Sequence, residues 1–434
     1  MKLRDFLELD FFILFSVIIL LSLGIMFIYS SGITSDGLLV SSEYKRQIIW
    51  AGGGLILALG IAMVNYRRFY DISLYIYLAA VAVLMYASIF SRVLNTSRWI
   101  RIGIFSFQAS EFAKIAVILL LARYLADTKL NKNFMCFFVS CVIVFIPMVI
   151  VLIQPDLGTA LVFIPILLTM SFVAGIAMRY VIFVVSCLLF TGVFLVLPLW
   201  QTHIFRQPLP GLVALTNPRF IAIVSLFLGI IAAIALFSYF KFKKRYFYWI
   251  VYGVAIFVFS LVVSFAARMV LRSYQMMRLI VFLDPNIDPR GAGWNIIQSI
   301  TAIGAGGVTG QGYLQGTQSH YRFLPEQSTD FIFSIFSEET GFLGGFVVFL
   351  LFMVICIRLL RIIKITADPF ASYVCAGLAG MISFHFFINV GMTMGIMPIT
   401  GIPLLFMSYG GSAVFSAMTG IGLALSIHIR RYNR

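Results

Sequence analysis

Between Asp284 and Glu339 the chain gathers six of its sixteen acidic residues, Asp284, Asp288, Glu326, Asp330, Glu338 and Glu339, on a stretch rich in glycine and proline. It opens DPNIDPRGAGWNIIQS, passes through AIGAGGVTGQG and GTQS, and closes FLPEQSTDFIFSIFSEETGFLGG. A carboxylate on such a loop can take the proton from an attacking hydroxyl. Asp284 and Asp288 suit that role, because each precedes a proline, which biases it away from helix and presents its carboxylate from extended backbone. Asp330 and the Glu338–Glu339 pair bracket the entrance of an apolar run, where acids also serve as first-turn charge for a helix.

Three shorter motifs add charge and aromatic surface. In SEFAK, Glu111 and Lys114 stand three residues apart, on one side of a helix. A buried pair of this kind either neutralises itself or lines a polar cavity, and the several kcal/mol that burying two charges costs favours the cavity. In QPDLGTA, Asp156 follows Pro155 at a helix start, so it is either an N-terminal acid favoured by the helix dipole or a cavity residue. In NTSRWIRIG, Trp99 lies between Arg98 and Arg101; it is an interfacial belt residue, or a surface that stacks on a sugar while an arginine holds phosphate. The glycines at 304, 306, 307, 310 and 312 read as tight turns, since no strand precedes them as a nucleotide loop requires. The five cysteines and four histidines are scattered without metal-ligand spacing, so no metal site is expected.

The elements that must position these residues are apolar helices. Hydrophobic residues make up 62% of the 434 residues and charged residues 11%, with a mean hydropathy of +1.04. That composition predicts an all-α polytopic membrane protein, and the length of the apolar runs excludes a β-barrel. About twelve spans fall at 10–30, 47–66, 72–91, 111–126, 134–153, 158–175, 180–200, 220–239, 247–267, 331–357, 371–393 and 404–428. The strongest basic clusters, including Lys241, Lys243, Lys244 and Arg245, fall on one side with both termini, which are therefore expected to be cytoplasmic. The net charge of +15 is read as helix-end anchoring to anionic lipid, not nucleic-acid binding. Arg46, Arg92, Arg98, Arg101, Arg268, Arg272 and Arg278 remain on the outer face, an excess that suits an anionic ligand. One membrane domain, 1–434, is expected, with a large outer loop at 268–330.

KRQ at 45–47, W-IRIG with SEFAK at 99–114, QPDLGTA at 154–160, the DP-x-x-DP-x-G-x-G and GTQS-FLPE-TDFIFS run at 284–334, and the terminal signature from Asn389 through GIMPITGIPLLFMSYGGSA stand in order. Together they resemble the shape, elongation, division and sporulation (SEDS) family of bacterial wall polymerases, over nearly the whole chain. GTQS followed by FLPE is more like the elongation members than the division and sporulation ones. The resemblance implies an inner-membrane glycosyltransferase, facing the periplasm or cell exterior, that polymerises lipid II and releases undecaprenyl diphosphate. It implies a class B penicillin-binding protein as crosslinking partner, together with other elongation-complex proteins. Asp288 matches the family's essential aspartate, with Asp284 its rival. Arg46, Trp99, Arg101, Glu111, Lys114, Asp156, Gln298, Thr317, Gln318, Glu326, Asp330 and Ser408 fall on motif positions expected to bind substrate. A divalent cation, magnesium or manganese, is an open expectation that no residue pattern specifies. The family usually shows ten spans, so the twelve counted here imply an extra helix pair within 201–267. A flippase of a lipid-linked precursor is the reading of a different class. It would carry its charges near the membrane midplane instead of the outer face.

Overall fold

The computed structural model describes residues 8–94, 100–102, 105–128, 133–201, 215–271 and 273–431, with side chains described except at 90–94, 100–102, 105–106 and 292. Each of the twelve expected segments contains a helix: α1 Phe11–Ser31, α2 Glu43–Met63, α3 Arg67–Leu94, α4 Ala109–Asp127, α5 Phe134–Ile153, α6 Leu157–Val173, α7 Met178–Trp200, α8 Pro218–Phe242, α9 Arg245–Val270, and, after further short helices, Ile332–Ile365, Pro369–Thr393 and Gly411–Ile429. Ten of these are long and apolar enough to cross a membrane. The other two differ for evident reasons. Leu157–Val173 has only 17 residues, and Ala109–Asp127 carries Glu111, Lys114, Arg123 and Asp127. Among the described residues the only paired strands are a short antiparallel hairpin, Ile100–Ile102 with Phe105–Phe107, just before α4.

The segment read as a long outer loop is largely helical. Arg268–Val270 closes α9, and the chain continues through α10 Ser273–Leu283, a 3-10 turn Pro285–Ile287, α11 Ala292–Gly306 and α12 Thr317–His320 before α13 Ile332–Ile365, α14 Pro369–Thr393 and α15 Gly411–Ile429. Glycine and proline hide an amphipathic pattern there. Ile296, Ser299 and Ala302 are all buried at three-residue spacing, the face of one helix.

The chain forms two compact units, Met1–Ile176 with Asn295–Arg434, and Ala177–Trp294. In the first, α15 packs on α2, α14 on α6, α13 and α4, and α13 on α1. Among its helices of membrane-spanning length the two last are the most enclosed, with 67% and 83% of their apolar windows buried. In the second, α8 and α9 form a hairpin turned at Lys243, which takes a left-handed φ of 50°, and α9 also packs on α7. Arg268 donates to the carbonyls of Leu215 and Phe194. Helix α8 buries only 11% of its window, so nearly all of its apolar surface is available to lipid.

Candidate functional site

The first unit concentrates polar side chains at one end of its bundle. Near the start of α2, Gln47 donates from Nε2 to Ser408 O at 3.1 Å and accepts at Oε1 from Gly410 N at 3.3 Å. Gln108, just before α4, donates to Asp156 Oδ2 at 3.0 Å. Asp156 caps α6, accepting Thr159 N at 3.2 Å and Thr159 Oγ1 at 3.0 Å, and is 3% exposed. Asp156 is thus an N-cap that also takes a hydrogen bond from the neighbouring Gln108 side chain.

One turn into α4 lies a fully buried charge. Lys114 is 0% exposed, and its Nζ lies 2.9 Å from both oxygens of Glu111. Its third neighbour is His385 Nε2 at 3.1 Å, while His385 Nδ1 lies 3.0 Å from Pro403 O. A carbonyl can only accept, so Nδ1 carries the proton and Nε2 offers its lone pair to the ammonium. One turn further along α14, Asn389 Nδ2 donates to Ile402 O at 2.8 Å and Asp330 O at 3.0 Å. A histidine that looked scattered in the sequence thus joins Glu111 and Lys114. Its only sequence signal is its place four residues before Asn389, which begins the terminal signature.

A second buried cluster fixes the GTQS turn. Helix α13 is broken at Gly341, whose φ of 67° suits glycine and whose Cβ would lie 2.3 Å from Gly310 N. The carbonyls freed at the break are satisfied by the preceding glycine-rich turn: Gln311 N donates to Glu338 O and Gly312 N to Glu339 O, each at 3.0 Å. Of the five glycines read as tight turns, Gly307, Gly310 and Gly312 take positive φ in the turn, whereas Gly304 and Gly306 belong to the last turn of α11. Glu338, 0% exposed, accepts Thr317 Oγ1 at 3.1 Å, Gln318 N at 2.8 Å and Ser319 N at 3.4 Å. Glu339 accepts Leu314 N at 2.9 Å and the Ser30 hydroxyl. Burial lowers the pKa of His320 against the opposing pull of Glu338.

The remaining expected residues fall as follows. Arg46 is exposed and lies beside Tyr409, whose phenol pKa burial raises and Arg46 opposes. Ser408 is buried and accepts Leu404 N at Oγ, 2.9 Å away. Glu326 is exposed and takes Thr329 Oγ1 at 3.3 Å. Asp330 and Gln298 are half-buried. Trp99 and the side chain of Arg101 lie outside the described residues.

In the second unit, Asp288 closes the 3-10 turn after α10 with φ −132° and ψ 69°. Its carbonyl accepts Gly291 N at 3.2 Å and Gly293 N at 3.0 Å. The glycines are there for space. A Cβ at Gly291 would lie 2.2 Å from Asp288 Oδ2, and one at Gly293 would lie 2.1 Å from Pro285 O. Asp284 is used differently: its Oδ1 accepts Asn286 N at 3.0 Å and Nδ2 at 3.1 Å, capping the turn that presents Asp288. Among the described residues no three His, Cys, Asp or Glu side chains converge as a metal site.

The chain matches the family model of the FtsW, RodA and SpoVE cell cycle proteins over residues 11–209 and 209–433. It is 46% identical to peptidoglycan glycosyltransferase RodA of Treponema pallidum, covering 99% of this chain and 100% of that one. It is 32% identical to stage V sporulation protein E of Bacillus subtilis, covering 98% of each. A solved peptidoglycan synthase complex that coordinates polymerization and crosslinking contains a chain of the same fold, with TM-score 0.65 and 24% identity, covering 98% of this chain and 99% of that one. With the motifs in register and the match running the length of the molecule, this chain is a multi-pass membrane protein of the FtsW, RodA and SpoVE family, the SEDS family.

Proposed function

We propose that this chain is a peptidoglycan glycosyltransferase of the elongation type, polymerising lipid II with Asp288 as the general base. The observation that carries the reading is the Asp288 turn: a half-buried carboxylate for which Gly291 clears space, on a backbone turn that Gly293 allows to close, while the rival Asp284 is committed to a cap. A sugar hydroxyl attacks the anomeric carbon of the donor as the bond to the lipid diphosphate breaks. The hydroxyl proton passes to Asp288, and undecaprenyl diphosphate leaves. One displacement with a base on the attacking face inverts the anomeric centre without a covalent sugar intermediate. The leaving group is already good, so its negative charge needs neutralising more than it needs a proton. Arg46 and Lys114 are the cations assigned to that task, with Arg101 a further candidate. Glu111, Asp156 and Glu338 are engaged by Lys114 or by N–H and O–H donors, and no step is routed through a metal.

The active side is assigned to the exterior of the bacterial inner membrane, because the chain's basic clusters favour the opposite side. The partner is assigned as a class B penicillin-binding protein within the elongation complex. The resemblance to a synthase complex that couples polymerization with crosslinking supports that assignment. The test is the purified full-length chain supplied with lipid II alone, with products resolved by length. Long glycans that disappear in Asp288→Asn are the expected result. Precursor movement across liposomes without polymer would replace this reading with the flippase.

A further inference from the structure

We infer that His385 is a positioning residue for the transfer reaction, setting the direction of the Lys114 ammonium and tying it to the loop at 397–403. The inference rests on the assignment of Lys114 to the departing diphosphate. An ammonium has three N–H donors and no acceptor. Two of the three acceptors around Nζ are the oxygens of Glu111, on the same helix, and they fix the ammonium only relative to α4. The third is His385 Nε2, from α14. His385 is 1% exposed, and its other nitrogen is spent on Pro403 O, so the ring cannot turn away without giving up that half-buried carbonyl. Asn389, one turn along, holds the adjacent carbonyl of Ile402 and reaches Asp330 O. Two side chains of α14 therefore clamp consecutive carbonyls of one loop, and only one of them continues to a charge. Because all three donors of Lys114 are satisfied, a phosphate oxygen must displace one acceptor to be bound. Glu111 supplies two of the three acceptors and keeps its ion pair through either oxygen, so one of those oxygens yields while the bond to His385 Nε2 stays.

The experiment uses the full-length chain in His385→Leu, which removes the acceptor, and His385→Gln, which keeps one. Turnover is measured against lipid II concentration. Loss of one hydrogen bond to a charged group predicts a fall of about 10–100-fold in kcat for His385→Leu, with KM changed less than about threefold. His385→Gln should recover most of that loss, a rescue that a merely structural role for the ring would not give. Unchanged turnover in His385→Leu would overturn the inference, as would equal losses in both variants. If His385→Leu does not fold, His385→Met takes its place, and a Met variant at wild-type turnover overturns it equally. A Lys114→Met variant that polymerises normally overturns the assignment of Lys114 itself, whereas loss in Lys114→Met with normal turnover in His385→Leu overturns only the positioning role.

Discussion

The Asp288 carboxylate and the Glu111–Lys114 pair answer to different physics, and their variants should separate accordingly. Asp288→Asn keeps shape and hydrogen bonding but removes the base, so polymerisation should fall by about 10²–10⁴-fold while folding and lipid II binding persist. Gly291→Ala should produce a comparable loss by another route, because the new methyl would sit 2.2 Å from Asp288 Oδ2 and force the carboxylate aside. An active Gly291→Ala enzyme would show that the carboxylate position is not needed. For the buried pair, removing either partner strands the other. Glu111→Ala and Lys114→Ala should each cost about 3–5 kcal/mol in unfolding free energy. The double variant should cost less than the sum, because it leaves neither charge unpaired. Additive losses in a thermal unfolding series would reduce the pair to independent contacts.

At the scale of the element, the break in α13 is the feature most open to test. A continuous helix would satisfy its carbonyls internally. Here Gly341 turns left-handed, and the strand of glycines before GTQS supplies the missing donors and uses Phe342 N and Leu343 N in return. Gly341→Ala combines a backbone conformation (φ 67°, ψ −164°) that essentially only glycine adopts, costing about 1–3 kcal/mol for a residue with a Cβ, with a clash of that Cβ at 2.3 Å from Gly310 N. It should lower the melting temperature in detergent by several degrees and reduce polymer synthesis as the Glu338-held turn at 317–320 loosens. A variant with unchanged melting and turnover would mean that the break is tolerated in either form. The helices of the second unit behave otherwise. Substitutions among the exposed apolar residues of α8, such as Ile223 or Phe227 to Leu, should leave stability nearly unchanged, since they face lipid.

For the molecule as a whole, partner and orientation are the testable properties. A class B penicillin-binding protein should copurify in mild detergent, binding through the membrane surface and outer segments. A chain fully active alone that never retains such a partner would count against the pairing. Reporter fusions at either terminus should report the cytoplasm, as the distribution of Lys and Arg requires. A reporter active outside would reverse every side assigned here.

The sequence by itself determined the membrane class, the helices and the family. Apolar runs of span length and ordered motifs such as QPDLGTA and GIMPITGIP are local properties that survive without coordinates. It also singled out Asp288 and the Glu111–Lys114 pair, because prolines, glycines and three-residue spacing are local signals as well. Tertiary structure alone decided three other matters. Much of the stretch from 273 to 320 is helical, and its buried face can be recognised only once Ile296, Ser299 and Ala302 have something to pack against. Asp284 and Asp288, alike in sequence as acids before prolines, take different work because one carboxylate folds back onto Asn286. His385 meets Lys114 across 271 residues of chain, and no periodicity within either helix encodes a contact that distant.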